Sequence, residues 1–352
     1  MELAVNKLTE SQIINSYNLA RGCDIVFSEI ISVENYKKLK NKNHFIISQD
    51  DSHVFYKSSL LKISNGDIVF SNLDLVEALF TKLKKTNLEN IILVTSQTDR
   101  KIDSNLYSKK PKNISKWFSI NIDIEREDLI PIPYGLANSY SPKNLFKTDF
   151  KNLKNKEKIN SVYLNFEVNT NYFHRNKLRK KLSVKDNFFQ EIKKLSLTDY
   201  LEKLNSYKYI LCPWGNGFDT HRLWESLYAG SIAVVPDHIT FKTTENLPVI
   251  SFQNIEELDI NFIYEKQKKL KYDYDILNID FWLRKIRENK NLKNITYYEL
   301  VHFDDLEEFN DYKKMKNIEN RKKMYQTVLR KIHSKLTKTE NKIYKDDNKY
   351  TD

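Results

Sequence analysis

The stretch "WGNGFDTHRLWE", residues 214–225, gathers residue types that hold anions and hydroxyls: two glycines, then Thr220, His221, Arg222 and Glu225. Gly215 and Gly217 carry no side chain, so backbone N–H groups there approach a ligand closely, and a helix starting just after them favours negative charge. A phosphate or diphosphate fits such a place. Arg222 adds a planar, always-charged fork whose charge-assisted hydrogen bonds contribute about 1.5–3 kcal/mol each. Glu225 accepts hydrogen bonds, which suits ribose hydroxyls. On a solvated helix face the same Arg222 and Glu225 make only an i,i+3 ion pair of about 0.2–0.5 kcal/mol with His221 as a capping partner, and both readings stay open at this level.

That chemistry needs a strand, a turn and a helix in succession. "YILCP" reads as a buried strand, "WGNGFD" as the turn at its carboxyl end, and the helix begins at Thr220 with Asp219 as N-cap. Winding at about 100° per residue places His221, Arg222, Glu225 and small Ala229 on one side, and Leu223, Trp224 and Leu227 on the other. In doubly wound sheets ligands sit at this end of the strands. Three of the chain's six glycines and two of its four tryptophans fall within residues 209–236, a concentration that a purely structural helix does not require.

Elsewhere in the first half, "CDIVFS", "HFIIS", "GDIVFS", "NIILVTSQTD" and "LIPIPYGLANS" are short apolar runs between amphipathic stretches. Strands alternating with helical patterns predict a parallel α/β sheet. "DLVEALFTKLKK" carries Leu75, Val76, Leu79, Phe80 and Leu83 at helical spacing and ends in lysines, as a helix C-terminus prefers. The polar stretch "FKTDFKNLKNKEKIN", residues 146–160, reads as a linker. The second half alternates again, through "SVYLNF", "YILCP", "SIAVVP" and "LPVISF", and no repeat of solenoid length occurs. The expected organisation is a domain over residues 1–155, a second over 156–290 and a basic helical extension over 291–352.

A chain of 352 residues is long enough for two cores, and 40% hydrophobic residues with 12% aromatics suffice to build them. The opening residues lack a basic start followed by an apolar run, and no stretch reaches the roughly 18 apolar residues of a membrane span, so the expectation is a cytoplasmic enzyme. Cys23 and Cys212, each within or beside an apolar run, read as reduced core thiols and exclude a cysteine-based metal site. The formal charge is +11, and residues 311–352 hold thirteen Lys or Arg against six Asp or Glu. Such a tail suits an anionic membrane surface or another polyanion, or is simply a solvated helix. In it Met324, Val328, Ile332 and Leu336 recur every fourth residue, as a face for the protein itself or for a membrane.

"CPWGNGFDTHRLWESLYAGSIAVVP" resembles the nucleotide-sugar domain of the exostosin-like glycosyltransferases, with its Pro-x-Gly loop, Arg, Trp-Glu-like pair and small-Gly-Ser-Ile before an apolar strand. "VYLNFEVNTNYFHR", "WFSINIDIEREDLIPIPYGLANS" and "NLPVISF" are similar to flanking segments of that family, so that the likeness covers roughly residues 66–285. It implies a GT-B fold, two Rossmann-like domains across a cleft, and inverting, metal-independent transfer of a sugar from a UDP-sugar, or a GDP-sugar, to an oligosaccharide or lipid-linked acceptor of a surface glycan. By the match Glu225 binds the donor ribose, and Arg222 and Arg175 neutralise the departing diphosphate. Asn171, Gly215, Asn216, Gly217, Asp219, Thr220 and His221 complete the donor set. Arg175 also reads as a surface charge of the loop and helix "NTNYFHRNKLRKK".

Inverting transfer needs a base for the acceptor hydroxyl. Asp99, ending "NIILVTSQTD", is the first candidate, with Asp50, Asp51 and His53 of "SQDDSHVF" competing; each also reads as a turn or capping residue. Two other functions compete. "YDYD" offers Asp273 and Asp275 as the Asp-x-Asp metal pair of a GT-A transferase, and the many Tyr and Phe with the basic charge offer a non-enzymatic RNA or polyanion binder.

Overall fold

The computed structural model describes residues 3–40, 43–153, 157–290 and 297–347, the side chains of Ala4 and of residues 333–347 excepted. A seven-stranded sheet runs in the order His44–Gln49, His53–Ser58, Ile25–Ser32, Ile68–Asn72, Ile91–Ser96, Ile114–Ser119, Leu129–Pro131. From Ile25–Ser32 onward neighbours are parallel, whereas the first two strands form an antiparallel hairpin on the edge. Ile68–Asn72 and Ile91–Ser96 are buried at every position, as parallel strands covered on both faces must be. The α/β expectation holds, with an antiparallel edge that the apolar runs did not foretell.

The second sheet is all parallel: Phe188–Gln190, Ile159–Leu164, Tyr207–Leu211, Ile232–Pro236, Val249–Phe252. From Ile159–Leu164 the chain goes outward through the helix Tyr172–Leu182 to Phe188–Gln190, then returns through Leu197–Ser206 to Tyr207–Leu211 on the other side. Loops that leave two adjacent strands in opposite directions open a crevice at their carboxyl ends. The glycine loop, residues 213–219, rises at this point.

Both sheets lie in one compact unit, Met1–Asp304. Phe70, Val94 and Phe118 of the first sheet share a core with Ile210, Cys212, Trp224 and Tyr228 of the second lobe. The chain's two flanks also cross over. Ile14 N–H donates to Tyr228 Oη at 3.0 Å, and that hydroxyl donates to the Leu277 carbonyl at 2.8 Å, so the amino-terminal segment is strapped to the helix His221–Tyr228. In return the helix Ile279–Arg287 sends Arg287 Nη2 to the Gly22 carbonyl at 3.1 Å in the first lobe. Residues 3–14 thus sit on the second lobe although they precede the first, and the boundary expected at 155–156 falls outside the described residues.

Tyr298–His302 pairs antiparallel with Leu60–Ser64, so the stretch expected to be a helical extension, 291–352, includes a strand among its described residues. Asp305–Asp352 is a separate unit containing the 43-residue helix Asp305–Asp347. On it Met324, Val328 and Ile332 are exposed, while the Leu336 side chain lies outside the described residues. Both cysteines are free thiols, Cys212 buried and Cys23 half-buried. Among the described residues no helix is long and apolar enough to cross a membrane.

Candidate functional site

The glycine loop is held from below by one arginine. Arg175, on the helix Tyr172–Leu182, donates Nε to the Trp214 carbonyl at 2.7 Å, Nη1 to Glu167 at 2.7 Å and Nη2 to Pro213 at 3.1 Å. Asn171 Nδ2 reaches the Gly215 carbonyl at 3.1 Å. Burial, and then the charge of Arg222, brings the Arg175 pKa down to about 10. Arg175 is therefore neither a loose surface charge nor an open fork; it ties both loops of the crevice together.

The loop is held from across by the first lobe. Asn121, in the left-handed region at φ 53°, accepts the backbone N–H groups of Phe218 and Asp219 on Oδ1 at 2.9 and 3.0 Å. A Cβ on Gly217 would lie 2.6 Å from Asn121 Nδ2, so this glycine makes room for an amide of the opposite lobe. Gly215 N–H is occupied by the Gly217 carbonyl at 2.9 Å. The expected cradle of open loop N–H groups is thus largely filled by the protein itself. Gly230, at φ 72°, is the left-handed turn that ends the helix, with Ser231 N–H returning to the Ser226 carbonyl at 2.9 Å.

The helix starts at His221 with Thr220 as N-cap and no side-chain cap bond. Asp219, expected in that role, is turned inward. Its carboxylate accepts the Tyr134 backbone N–H at 2.9 Å and Trp224 Nε1 at 3.0 Å. Burial outweighs those bonds and pushes its pKa up to about 7.

His221, Arg222 and Glu225 then part company. The His221 ring stacks on Tyr134 at 4.2 Å and places Nδ1 2.7 Å from the Gly135 carbonyl. Arg222 and Glu225 turn instead to Tyr200 on the helix Leu197–Ser206: the Arg222 guanidinium lies 5.2 Å from the ring centre, and the Tyr200 hydroxyl donates to Glu225 Oε2 at 2.6 Å. Among the described residues no ion pair joins Arg222 to Glu225, and buried Arg222 Nη1 has no hydrogen-bond partner. Burial works to lower the Arg222 pKa, but Tyr200, Cys212, Glu225 and Tyr163 together carry it above the ordinary value. The hydroxyl of Tyr163, another member of this group, is buried without a partner as well.

Asp99, exposed on the loop after Ile91–Ser96, accepts Asn216 Nδ2 at 3.1 Å, which sets it across from the glycine loop. Asp50 and Asp51 occupy the turn of the edge hairpin. Asp50 there is a turn-former: Oδ1 accepts Ser52 N–H at 2.7 Å and His53 N–H at 2.9 Å, and the bonds from Ser52 and His53 hold its pKa down to about 2. His53 meets Tyr140, ring centres 5.4 Å apart. Tyr140 in turn lines a cavity of about 200 Å³ with Ser16, Gln97, Tyr134, Asn138, Ser141 and His221.

Asp273 caps the short turn Tyr274–Leu277 by accepting the Asp275 N–H at 3.2 Å. Among the described residues no three His, Cys, Asp or Glu side chains come together as a metal site. Sequence reasoning missed Asn121, Tyr134 and Tyr200. Asn121 follows a strand, a place where ligand-facing loops start, but nothing in the pattern marks Tyr200. The chain matches no protein-family model and no curated protein.

Proposed function

We propose that the chain is a glycosyltransferase of GT-B type that transfers a sugar from a nucleotide-sugar donor to the hydroxyl of a growing glycan, with inversion and without a required metal. The observation that carries this reading is Nη1 of the half-buried Arg222, itself buried and unpartnered, beside the loop at the switch point of an all-parallel sheet. A buried N–H left unmade costs about 1–3 kcal/mol, and a diphosphate oxygen is the chemical group that relieves it. Arg175 keeps the loop in place and adds positive potential; Glu225, with Oε2 on Tyr200, has Oε1 for a ribose hydroxyl.

As the sugar–phosphate bond breaks, negative charge grows on the bridging oxygen, and a fixed guanidinium stabilises it without reorganising. UDP-sugars are the first donors to try and GDP-sugars the second. The acceptor is an oligosaccharide or lipid-linked glycan; the basic helix Asp305–Asp347 suits an anionic membrane that carries it. Arg222→Ala and Glu225→Ala should each abolish nucleotide release from the donor while leaving the circular dichroism spectrum intact. Near-normal turnover in either variant refutes the assignment, and nucleic-acid binding that falls steeply with salt, with no nucleotide released from any donor, favours the polyanion binder instead.

A further inference from the structure

The cavity of about 200 Å³ beside His221 has room for many waters, or for a small polar ring in their place. Its walls mix polar side chains with Leu136 and Ala137, and the polar ones are held in place. Gln97 holds φ at 73°, a left-handed conformation that a non-glycine residue keeps only where its surroundings impose it. What imposes it is visible: Gln97 Oε1 accepts the Ile30 N–H at 2.7 Å, and Nε2 donates to the Ile30 carbonyl at 3.0 Å and to Ser16 Oγ at 3.2 Å. Ser16 Oγ also receives Asn138 Nδ2 at 2.6 Å, which leaves the serine O–H itself to donate. The first lobe therefore presents a wall of amides locked to one another and to the backbone, with the Ser16 hydroxyl as the group left to donate.

The only wall residue from the second lobe among those lining this cavity is His221, next in sequence to Arg222. A carbonyl oxygen can only accept, so the 2.7 Å contact to Gly135 puts a proton on Nδ1, and in the neutral ring Nε2 is then the nitrogen with the lone pair. Stacking on Tyr134 fixes the ring plane. An oriented imidazole whose second nitrogen is basic, at the edge of this cavity and one residue from the proposed diphosphate ligand, is placed as a general base.

We propose that His221 is the base of the transfer and that this cavity seats the acceptor's reacting sugar, an assignment that rests on the donor reading above. The acceptor hydroxyl gives its proton to Nε2 while its oxygen bonds to the anomeric carbon. The bond from that carbon to the phosphate oxygen breaks, and its electron pair leaves on the nucleoside diphosphate opposite Arg222. Asp99, across the loop, then serves the Asn216 contact rather than the proton. The titratable and charged groups around the imidazole are Tyr134 and Tyr140 of the first lobe, Asp99 beyond them, and Asp219 and Arg222 beside it in the chain.

The test uses the full chain and a panel of UDP- and GDP-sugars, with water and then simple monosaccharides as acceptors, and reads nucleotide release from pH 5 to 9. His221→Asn retains an N–H for the Gly135 carbonyl but no basic nitrogen, so a positioning role and a base role separate. The expected result is a loss of about 10²–10³-fold in both His221→Asn and His221→Ala, disappearance of the acid limb of the profile, partial rescue of His221→Ala by imidazole, and unchanged stabilisation by the donor. Wild-type turnover in His221→Asn overturns the proposal, as does an unaltered acid limb without imidazole rescue. Loss of donor stabilisation in His221→Asn also overturns it, because the ring then belongs to the donor site, which itself stands. Stabilisation by no nucleotide at all removes the donor reading beneath it.

Discussion

Arg175 and Arg222 belong to two helices of the second lobe and carry the same charge, yet their surroundings give them opposite work. Arg175 satisfies three carbonyls of two loops, so Arg175→Met strands those carbonyls and should cost about 3 kcal/mol or more, read as a lower chemical-denaturation midpoint. Arg222 gives Nη1 to no group among the described residues. Arg222→Met removes that unpaired N–H but also the contact with the Tyr200 ring and the charge that faces buried Glu225, so it should lower the unliganded stability by about 1 kcal/mol, less than Arg175→Met does. A loss as large as that of Arg175→Met would show that the guanidinium holds the fold rather than a ligand. Glu225 differs again: joined to Tyr200 and 7% exposed, it is part of a buried pair rather than of a solvated helix face.

The glycine loop and the helix behind it were legible as elements, for reasons that also explain what was not. Apolar "YILCP", the two glycines and the separation of polar from apolar positions depend on local chain chemistry, and the strand Tyr207–Leu211 and helix His221–Tyr228 follow. Which way the polar side chains turn is decided by the partners they meet: His221 by Tyr134 and Gly135, Arg222 and Glu225 by Tyr200. Those partners lie far away in sequence, so no spacing rule announces them. Strands such as "HVFYKS" and "ISKWFS" escaped because lysine and serine interrupt the apolar run, although Lys57 is itself buried. The contact between Gly217 and Asn121 is testable at this scale. Gly217→Ala drives a methyl group into the Asn121 amide, and Asn121→Ala both frees that space and strands two N–H groups. The double variant should therefore be more stable than the sum of the single losses by at least about 0.5 kcal/mol, and additive losses would mean that the two residues do not touch.

Across the whole molecule, the lobes meet through the loops at the carboxyl ends of their sheets, and Asp219 is the buried carboxyl at that junction, bonded to Tyr134 of the first lobe and Trp224 of its own. Its pKa is raised to about 7 in the folded chain, so the folded state favours the protonated form. That stabilisation is fully present below the unfolded carboxyl's pKa near 4 and is lost as pH rises through about 7, a window worth up to about 4 kcal/mol. Asp219→Asn retains an oxygen for both donors and cannot ionise, so its melting temperature should fall less than the wild type's between pH 4 and 8. Parallel curves would mean that Asp219 titrates normally. The amino-terminal strap gives a second reading at this scale: Tyr228→Phe removes the hydroxyl shared by Ile14 and Leu277 and should speed proteolysis within residues 3–14, and an unchanged cleavage rate would show that apolar packing alone holds the strap.

The most direct measurement is the melting temperature of the wild-type chain and of Arg222→Met with UDP, GDP and their sugars. A nucleotide present at 100 times its dissociation constant adds about 2.7 kcal/mol, a rise of several degrees in the wild type, and the rise should vanish in Arg222→Met while that variant still melts cooperatively without ligand. An equal rise in both proteins, or a wild-type chain that no nucleotide stabilises, would contradict a diphosphate held by Arg222.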